Sequence, residues 1–456
     1  MTDKEFLYNI RRGMGKAIIE LQKNPNSERY CDIILRCCQK NIAYNWQVEG
    51  TKGRYLYSAI CALGSKEQKD KFEDILIDTF KKRLEYDLFL QIADILCLYA
   101  ADGSQKSRDA LQDKYRNLVE RLSKQKTFPL KYSERGQFEY LMVWEIDTNK
   151  WAAFERCIAD AGRILINRRD DACNCYDDFI LHCENIFGKK RIANYFENSA
   201  KKSNKSKEVN AYITAANELE KTRAENLRLR KEQPEPKINL ESYVVRAKEA
   251  EHEQCAYAHM AKLSMQFAKQ GKPDEFMELA SIIAAEQSDE VRANLLNVFR
   301  NVDFPADIDL LIKYAESDCP QLCDIAIVAL KRFADPRVHE LAIKLITAGN
   351  IEAGLSLLVK NWRKQDEALI RKYILSVKKA KISHSTQQNL RDIYLTHRSK
   401  SCGDILEYAY HNGECAHCRF GIVDAMMKNR VLSESISSEC IYDSYDKTRE
   451  LAKKAK

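Results

Sequence analysis

Glycine is scarce in this sequence, at 15 of 456 residues, and proline is scarcer, at 8. Both residues punctuate chains built from short strands and tight turns, so their shortage argues against such a fold. Long apolar runs are missing as well. No stretch approaches the roughly 20 residues of a membrane span. The amino-terminal MTDKEFLYNIRRGMGK lacks the apolar core that a secretion signal needs. No phosphate-cradling GxxxxGK[ST] loop and no GxGxxG strand–turn–helix occurs, which leaves nucleotide binding without support. No Ser-His-Asp or Cys-His-Asn family context picks out a nucleophile. What remains is the expectation of a helical, cytosolic, non-membrane protein with reduced thiols and no cofactor.

What the chain does contain is amphipathic helix. Charged residues make up 31% of it, enough to coat many helices joined by short turns. A single compact helical domain of this length is disfavoured, whereas a repeat array grows its core along one axis. From Ser288 to Lys381, helix pairs recur every 31 residues. Val291, Leu295, Leu296 and Phe299 align with Leu322, Ala326, Ile327 and Leu330, and these with Ala353, Leu357, Leu358 and, weakly, Asn361. Phe304-Pro305, Asp335-Pro336 and Gln365-Asp366 keep this step, to within one residue, as turns. A helix hairpin repeated at fixed spacing predicts an all-α solenoid of antiparallel helix pairs, an α-α superhelix. The charged run KTRAENLRLRKEQ followed by Pro234-Glu235-Pro236 is the best boundary. It divides an N-terminal helical-repeat segment, 1–233, from a C-terminal repeat segment, 238–456, closed by a polar cap helix facing water. The run itself is a solvated helix end or an arm that touches a partner.

Four groups of residues invite chemistry. Cys415-x-x-Cys418 has metal-ligand spacing, and Cys402 and Cys440 are the nearest further thiols; these four are a weak tetrahedral zinc candidate, set against simple packing of buried cysteines. Asp170, Asp171, Cys173, Cys175, Asp177 and Asp178 precede His182 and Cys183. That cluster is a hydrolytic or metal candidate, or an acidic cap on the next helix. Glu49 and Arg54 bracket two glycines, and a local ion pair over packed Tyr44 and Trp46 is the plainer reading. The last group is basic: Arg363, Lys364, Arg371, Lys372, Lys378, Lys379 and Lys381, with Trp362 and Tyr373 among them, and further runs at 163–207. On one face of a solenoid such runs would follow a phosphate backbone; on outer faces they are solvated and cancelled by acids. The net charge of +7 permits an acidic partner without demanding one.

Residues 405–452 resemble the closing repeat of bacterial HEAT-repeat proteins. The residues that carry the likeness are Cys415-x-x-Cys418-Arg419, a helix ending at Leu432, Glu439-Cys440 and Asp443-Ser444 with Arg449. Asn41 to Gly50 with Tyr55-Leu56 looks like the amino-terminal part of the same group. The resemblance implies a HEAT-like or armadillo-type fold and a scaffold for a protein partner. It also brings to mind duplex-DNA binding, as in DNA-glycosylase-type helical repeats. The expected function is therefore a non-enzymatic scaffold binding a protein on its concave surface, with nucleic-acid binding through the basic runs as the alternative. A zinc-dependent or hydrolytic enzyme comes third, and a deep pocket holding a carboxylate with a raised pKa would favour it.

Overall fold

A computed structural model describes residues 1–25, 28–124, 132–166, 177–201, 206–232, 237–251, 256–376 and 382–454. Among them every regular element is a helix, and the one β-type contact is an isolated parallel bridge between Ile382 and Gly413. No described helix is long and apolar enough to cross a membrane. The chain separates into two compact units: Met1–Gln233 with Ser435–Lys454, and Pro234–Glu434. The closing segment thus groups with the N-terminal unit and not, as the sequence suggested, with the repeats that precede it. Its helix Asp446–Lys454 is polar, yet it buries Thr448 and Ala452.

The first unit is built around α7 (Tyr86–Ala101), after α1 (Asp3–Arg11), α2 (Gly15–Lys23), α3 (Cys31–Cys38), α4 (Trp46–Glu49), α5 (Gly53–Ala62) and α6 (Lys66–Lys81). The sequence YDLFLQIADILCLYAA is apolar on nearly every side, which only a helix surrounded by others can satisfy. It packs on α5, α6, α8 (Gln105–Lys124) and α9 (Tyr132–Ile166), and buries Phe89, Ile92, Ile95 and Leu96 completely. Gln91 is its one wholly buried polar side chain. Its amide faces the carbonyls of Cys37, Cys38 and Lys40 at 3.0, 3.1 and 2.8 Å, closing the end of α3. Helix α9 breaks at Lys150, which takes φ 55° and ψ −133°. The unit continues through α10 (Asp177–Phe187), α11 (Lys189–Lys201) and α12 (Lys207–Glu232).

The second unit runs through α13 (Leu240–Glu249), α14 (Ala256–Gln270), α15 (Pro273–Ala285), α16 (Asp289–Leu296), α17 (Asp309–Ala315) and α18 (Pro320–Leu330). It ends with α19 (Pro336–Thr347), α20 (Ile351–Asn361), α21 (Asp366–Ser376), α22 (His384–Thr396), α23 (Gly403–Asn412) and α24 (Ala416–Asn429). Helices α16, α18 and α20 begin at 289, 320 and 351. Local signals cut several helix starts: Ser288 Oγ accepts from the amide of Val291 at α16, and Pro320 and Pro336 occupy the first turns of α18 and α19, where a missing N–H costs nothing. The row α16, α18, α20, α22, α24 packs each helix on the next. Leu295, Leu296, Phe299, Leu322, Ala326, Leu330, Leu357 and Leu358 lie at its centre, all fully buried.

Asn361 ends the third set of aligned positions where Phe299 and Leu330 end the others. It is buried and does polar work there. Its Nδ2 donates to Phe333 O and Leu357 O, both at 2.9 Å, and its Oδ1 accepts from Asp335 N at 2.8 Å. Asn429, at the end of α24, repeats the arrangement: Nδ2 donates to Tyr394 O and Ala425 O, and Oδ1 accepts from Ser399 N at 2.8 Å. Each asparagine clamps the turn of the neighbouring hairpin. Asn361→Ala leaves buried backbone groups unsatisfied and is expected to cost about 2–3 kcal/mol. Chemical denaturation followed through Trp362 checks this, and a loss under ~0.5 kcal/mol would show that the clamp is dispensable.

Candidate functional site

The basic run at 360–381 begins on α20 and continues across α21, and its members do not share one task. Lys378, Lys379 and Lys381 lie outside the described residues. Arg363, Lys364 and Lys372 are exposed. Arg371 is committed to the fold: its Nε donates to Asp404 Oδ2 at 2.7 Å, and its guanidinium also meets Glu367 Oε1 and Ser401 O. This pairing holds the Asp404 carboxyl below its ordinary range. Lys360 Nζ donates to Arg332 O at 2.9 Å. The interleaved aromatics are engaged too. Trp362 stacks on His397 at 5.4 Å, and Tyr373 Oη donates to Thr347 O.

The runs at 163–207 are similarly divided. Arg168, Arg169, Lys202 and Lys205 lie outside the described residues. Arg163 sits 3.6 Å from Asp160, Lys189 4.0 Å from Glu184, and the Arg191 guanidinium 4.0 Å over the Trp151 ring. Lys190 and Lys207 are exposed.

In the acidic cluster, Asp170, Asp171, Cys173 and Cys175 also lie outside the described residues. Asp177 and Asp178 open α10, where negative charge suits the free amides of a helix start. His182 Nε2 meets Asp147 Oδ1 at 2.9 Å, and the buried Cys183 thiol is pushed up to about 12 by burial. At the other glycine-flanked candidate, Glu49 pairs with Lys52 at 3.4 Å and not with Arg54, which is exposed; Tyr44 is 55% exposed and not packed beneath.

A cleft of about 530 Å³ in the first unit is lined by Tyr115, Arg116, Glu145, Arg156, Asp160 and Arg163, among others. Burial raises the pKa of the Asp160 carboxyl above its ordinary value. That carboxyl accepts from Tyr115 Oη at 2.9 Å. Cys157, which also receives Tyr115 Oη at 3.5 Å, is pushed up to about 12 by burial and is no thiolate nucleophile near neutral pH. Arg156 is ion-paired with the buried Glu145. Tyr115, Cys157 and Asp160, and Glu145 with Arg156, thus already satisfy one another.

The cysteines near the C-terminus are rearranged relative to expectation. Cys415 and Cys418 come together at the start of α24, while Cys402 is engaged elsewhere in the same unit. Cys402 Sγ donates to Ser399 O at 3.1 Å, and burial pushes its thiol up to about 12. Cys440 is buried in the other unit. The partner of the pair is His384, the first residue of α22. His384, Cys415 and Cys418 place their ligand atoms within 4.8 Å of one another. Nothing in the spacing of the chain pointed to His384, because it belongs to a different hairpin. Elsewhere, Cys37 and Cys157 are buried as small apolar residues, whereas Cys61 is exposed and Cys31, Cys97 and Cys323 are half-buried. Compared with known proteins, the chain matches no protein-family model and no curated protein.

Proposed function

We propose that the chain is a HEAT-like helical-repeat scaffold, without catalysis of its own, that binds a protein partner on the concave side of its stacked hairpins. The observation that carries this reading is the set of polar ties in the second unit, which join residues nearly one repeat apart. Tyr314 Oη donates to Ile283 O across 31 residues, Arg332 pairs with Asp303 across 29, and Arg337 with Asp307 across 30. Lys344 pairs with Glu316 across 28, and Asn361 reaches Phe333 across 28. Ties that recur at about one repeat's separation are what nearest-neighbour stacking produces. A stack of this kind presents a long surface without needing a deep pocket. Val245, Met265 and Met277, on three consecutive helices, are each nearly half exposed, at 48–49%. Methionine adapts readily to a partner's shape. The engagement of Arg371, Lys360, Trp362 and Tyr373 within the fold favours a protein over a nucleic acid.

Fluorescence anisotropy with labelled duplex DNA and single-stranded RNA separates the two readings. No binding is expected at micromolar protein and low salt. Binding that falls steeply with salt, and again in Arg363→Glu/Lys364→Glu/Lys372→Glu, would replace the protein-scaffold reading with the nucleic-acid one. A protein captured on the immobilised chain should rebind as a purified component, and Met265→Asp/Met277→Asp should weaken it at least about tenfold.

A further inference from the structure

We propose that His384, Cys415 and Cys418 form a three-ligand site for a thiophilic divalent ion, zinc foremost, that staples the first turn of α22 to the first turn of α24. The fold brings the three residues together by several independent devices. Ile382 and Gly413 form a parallel bridge, which sets the two entering strands of chain side by side. Gly413 lies so close to Gln387 on α22 that a Cβ there would fall 1.9 Å from Nε2, so the loop leading to Cys415 rests directly on that helix. Ser383 Oγ accepts from the Thr386 amide at 3.1 Å and fixes the turn that carries His384.

The donor set is that of a metal site. Cys415 and Cys418 are 2% and 3% exposed. Cys415 caps α24, and its Sγ accepts from the Cys418 amide at 3.4 Å; a helix start favours negative charge at that sulfur. Cys418 Sγ lies 3.0 Å from His384 Nδ1. Zinc bonds of about 2.3 Å to sulfur and 2.0 Å to nitrogen, at tetrahedral angles, hold ligand atoms roughly 3.5–3.8 Å apart, so sub-ångström adjustments of these side chains suffice. His384 Nε2 lies 2.9 Å from the side-chain amide of Gln388. With the Gln388 carbonyl oxygen turned to that position, it accepts Nε2–H and leaves the Nδ1 lone pair for the ion, the usual way a second residue orients a histidine ligand. Two thiolates and an imidazole select zinc over magnesium or calcium, which take oxygen. Three protein ligands leave a fourth position for water or a partner's side chain. On binding, the ion sheds water, the two thiols release their protons to solvent, and the neutral imidazole donates its lone pair. Affinity therefore falls as the pH falls, because both thiols and the imidazole must be free of protons before the ion binds.

The test uses the full-length chain, reduced and freed of metal by chelator, then titrated with cobalt(II) as a spectroscopic stand-in. About one equivalent is expected to bind, with sulfur-to-cobalt charge-transfer absorption and the intense visible bands of tetrahedral coordination, and zinc should displace it. Cys415→Ser and Cys418→Ser should abolish the charge-transfer band and His384→Ala should weaken binding at least about tenfold, while Cys402→Ser leaves the titration unchanged. Circular dichroism identifies any variant that fails to fold, and the wild-type titration does not depend on variants. Uptake below about a third of an equivalent by the folded, reduced wild type, or a charge-transfer band that survives in Cys415→Ser and Cys418→Ser, would overturn the site.

Discussion

Lys52→Met is expected to cost the first unit about 3–5 kcal/mol, among the largest losses a single side chain can cause. Lys52 and Glu49 are 2% and 1% exposed at the side chain and stand 3.4 Å apart. Lys52 Nζ also donates to Arg11 O at 3.0 Å and Ile42 O at 3.2 Å, so one ammonium joins the end of α1 to the loop that follows α3. Glu49 Oε2 accepts from Tyr44 N at 3.2 Å and orders that same loop. Methionine keeps the apolar stem and removes the charge. It takes the cationic partner from a buried carboxylate and the donor from two part-buried carbonyls, and the loss at the carboxylate dominates the cost. Trp46, Trp144 and Trp151 belong to this unit and only Trp362 to the other, so fluorescence-detected denaturation reports mainly on the unit affected. Glu49→Gln/Lys52→Met should recover at least about half of the loss, because the buried charge is gone. A single-variant loss under ~1 kcal/mol would mean that water reaches the pair.

The pair marks the point at which sequence reading stops. Glu49 is visible in the sequence as a candidate ion-pair member, but the sequence points to Arg54 as its partner. Lys52 and Arg54 differ by two positions along the chain, and which of them turns inward depends on where α5 begins. Its first residue, Gly53, is pressed against α7, where a Cβ would fall 2.4 Å from Asp94. That contact is long-range and leaves no local pattern. Helices and their starts were legible because apolar periodicity and capping residues are local properties. The step between α16, α18 and α20 was legible for the same reason. Asn361 stood out only as a weak match, since an apolar pattern registers a buried amide as a failure. His384 was invisible as a companion of Cys415 and Cys418, because one hairpin separates them in sequence while adjacent helices join them in space. The basic runs misled in the opposite way: their charges were counted correctly, but Arg371 had already been taken by Asp404, 33 residues on.

Gly15→Val is expected to release the closing segment from the first unit, at a cost of about 3 kcal/mol or more. A Cβ at Gly15 would lie 1.8 Å from Glu439 O and 2.7 Å from its carbonyl carbon. The obstacle is backbone, so no rotamer change relieves it. Two residues earlier Gly13 holds φ +70°, and its carbonyl accepts from Ser444 N at 2.9 Å. The turn between α1 and α2 and the chain at 439–444 are therefore in van der Waals contact, and glycine is what permits the approach. Valine must displace 439–444 as a whole. Ile436 and Cys440, 2% and 0% exposed, would lose their cover together. The local readout is chemical: labelling of the Cys440 thiol by a maleimide should accelerate at least about tenfold, followed by mass spectrometry of the peptide that contains it. Protease cleavage within 435–454 should appear in the variant at concentrations that leave the wild type intact. Cys402, buried in the other unit, supplies the internal control, because its labelling should not change. Equal acceleration at both thiols would indicate global unfolding and not release of the segment, and protection of Cys440 at the wild-type level would show that the backbone at Gly15 yields without moving its neighbour.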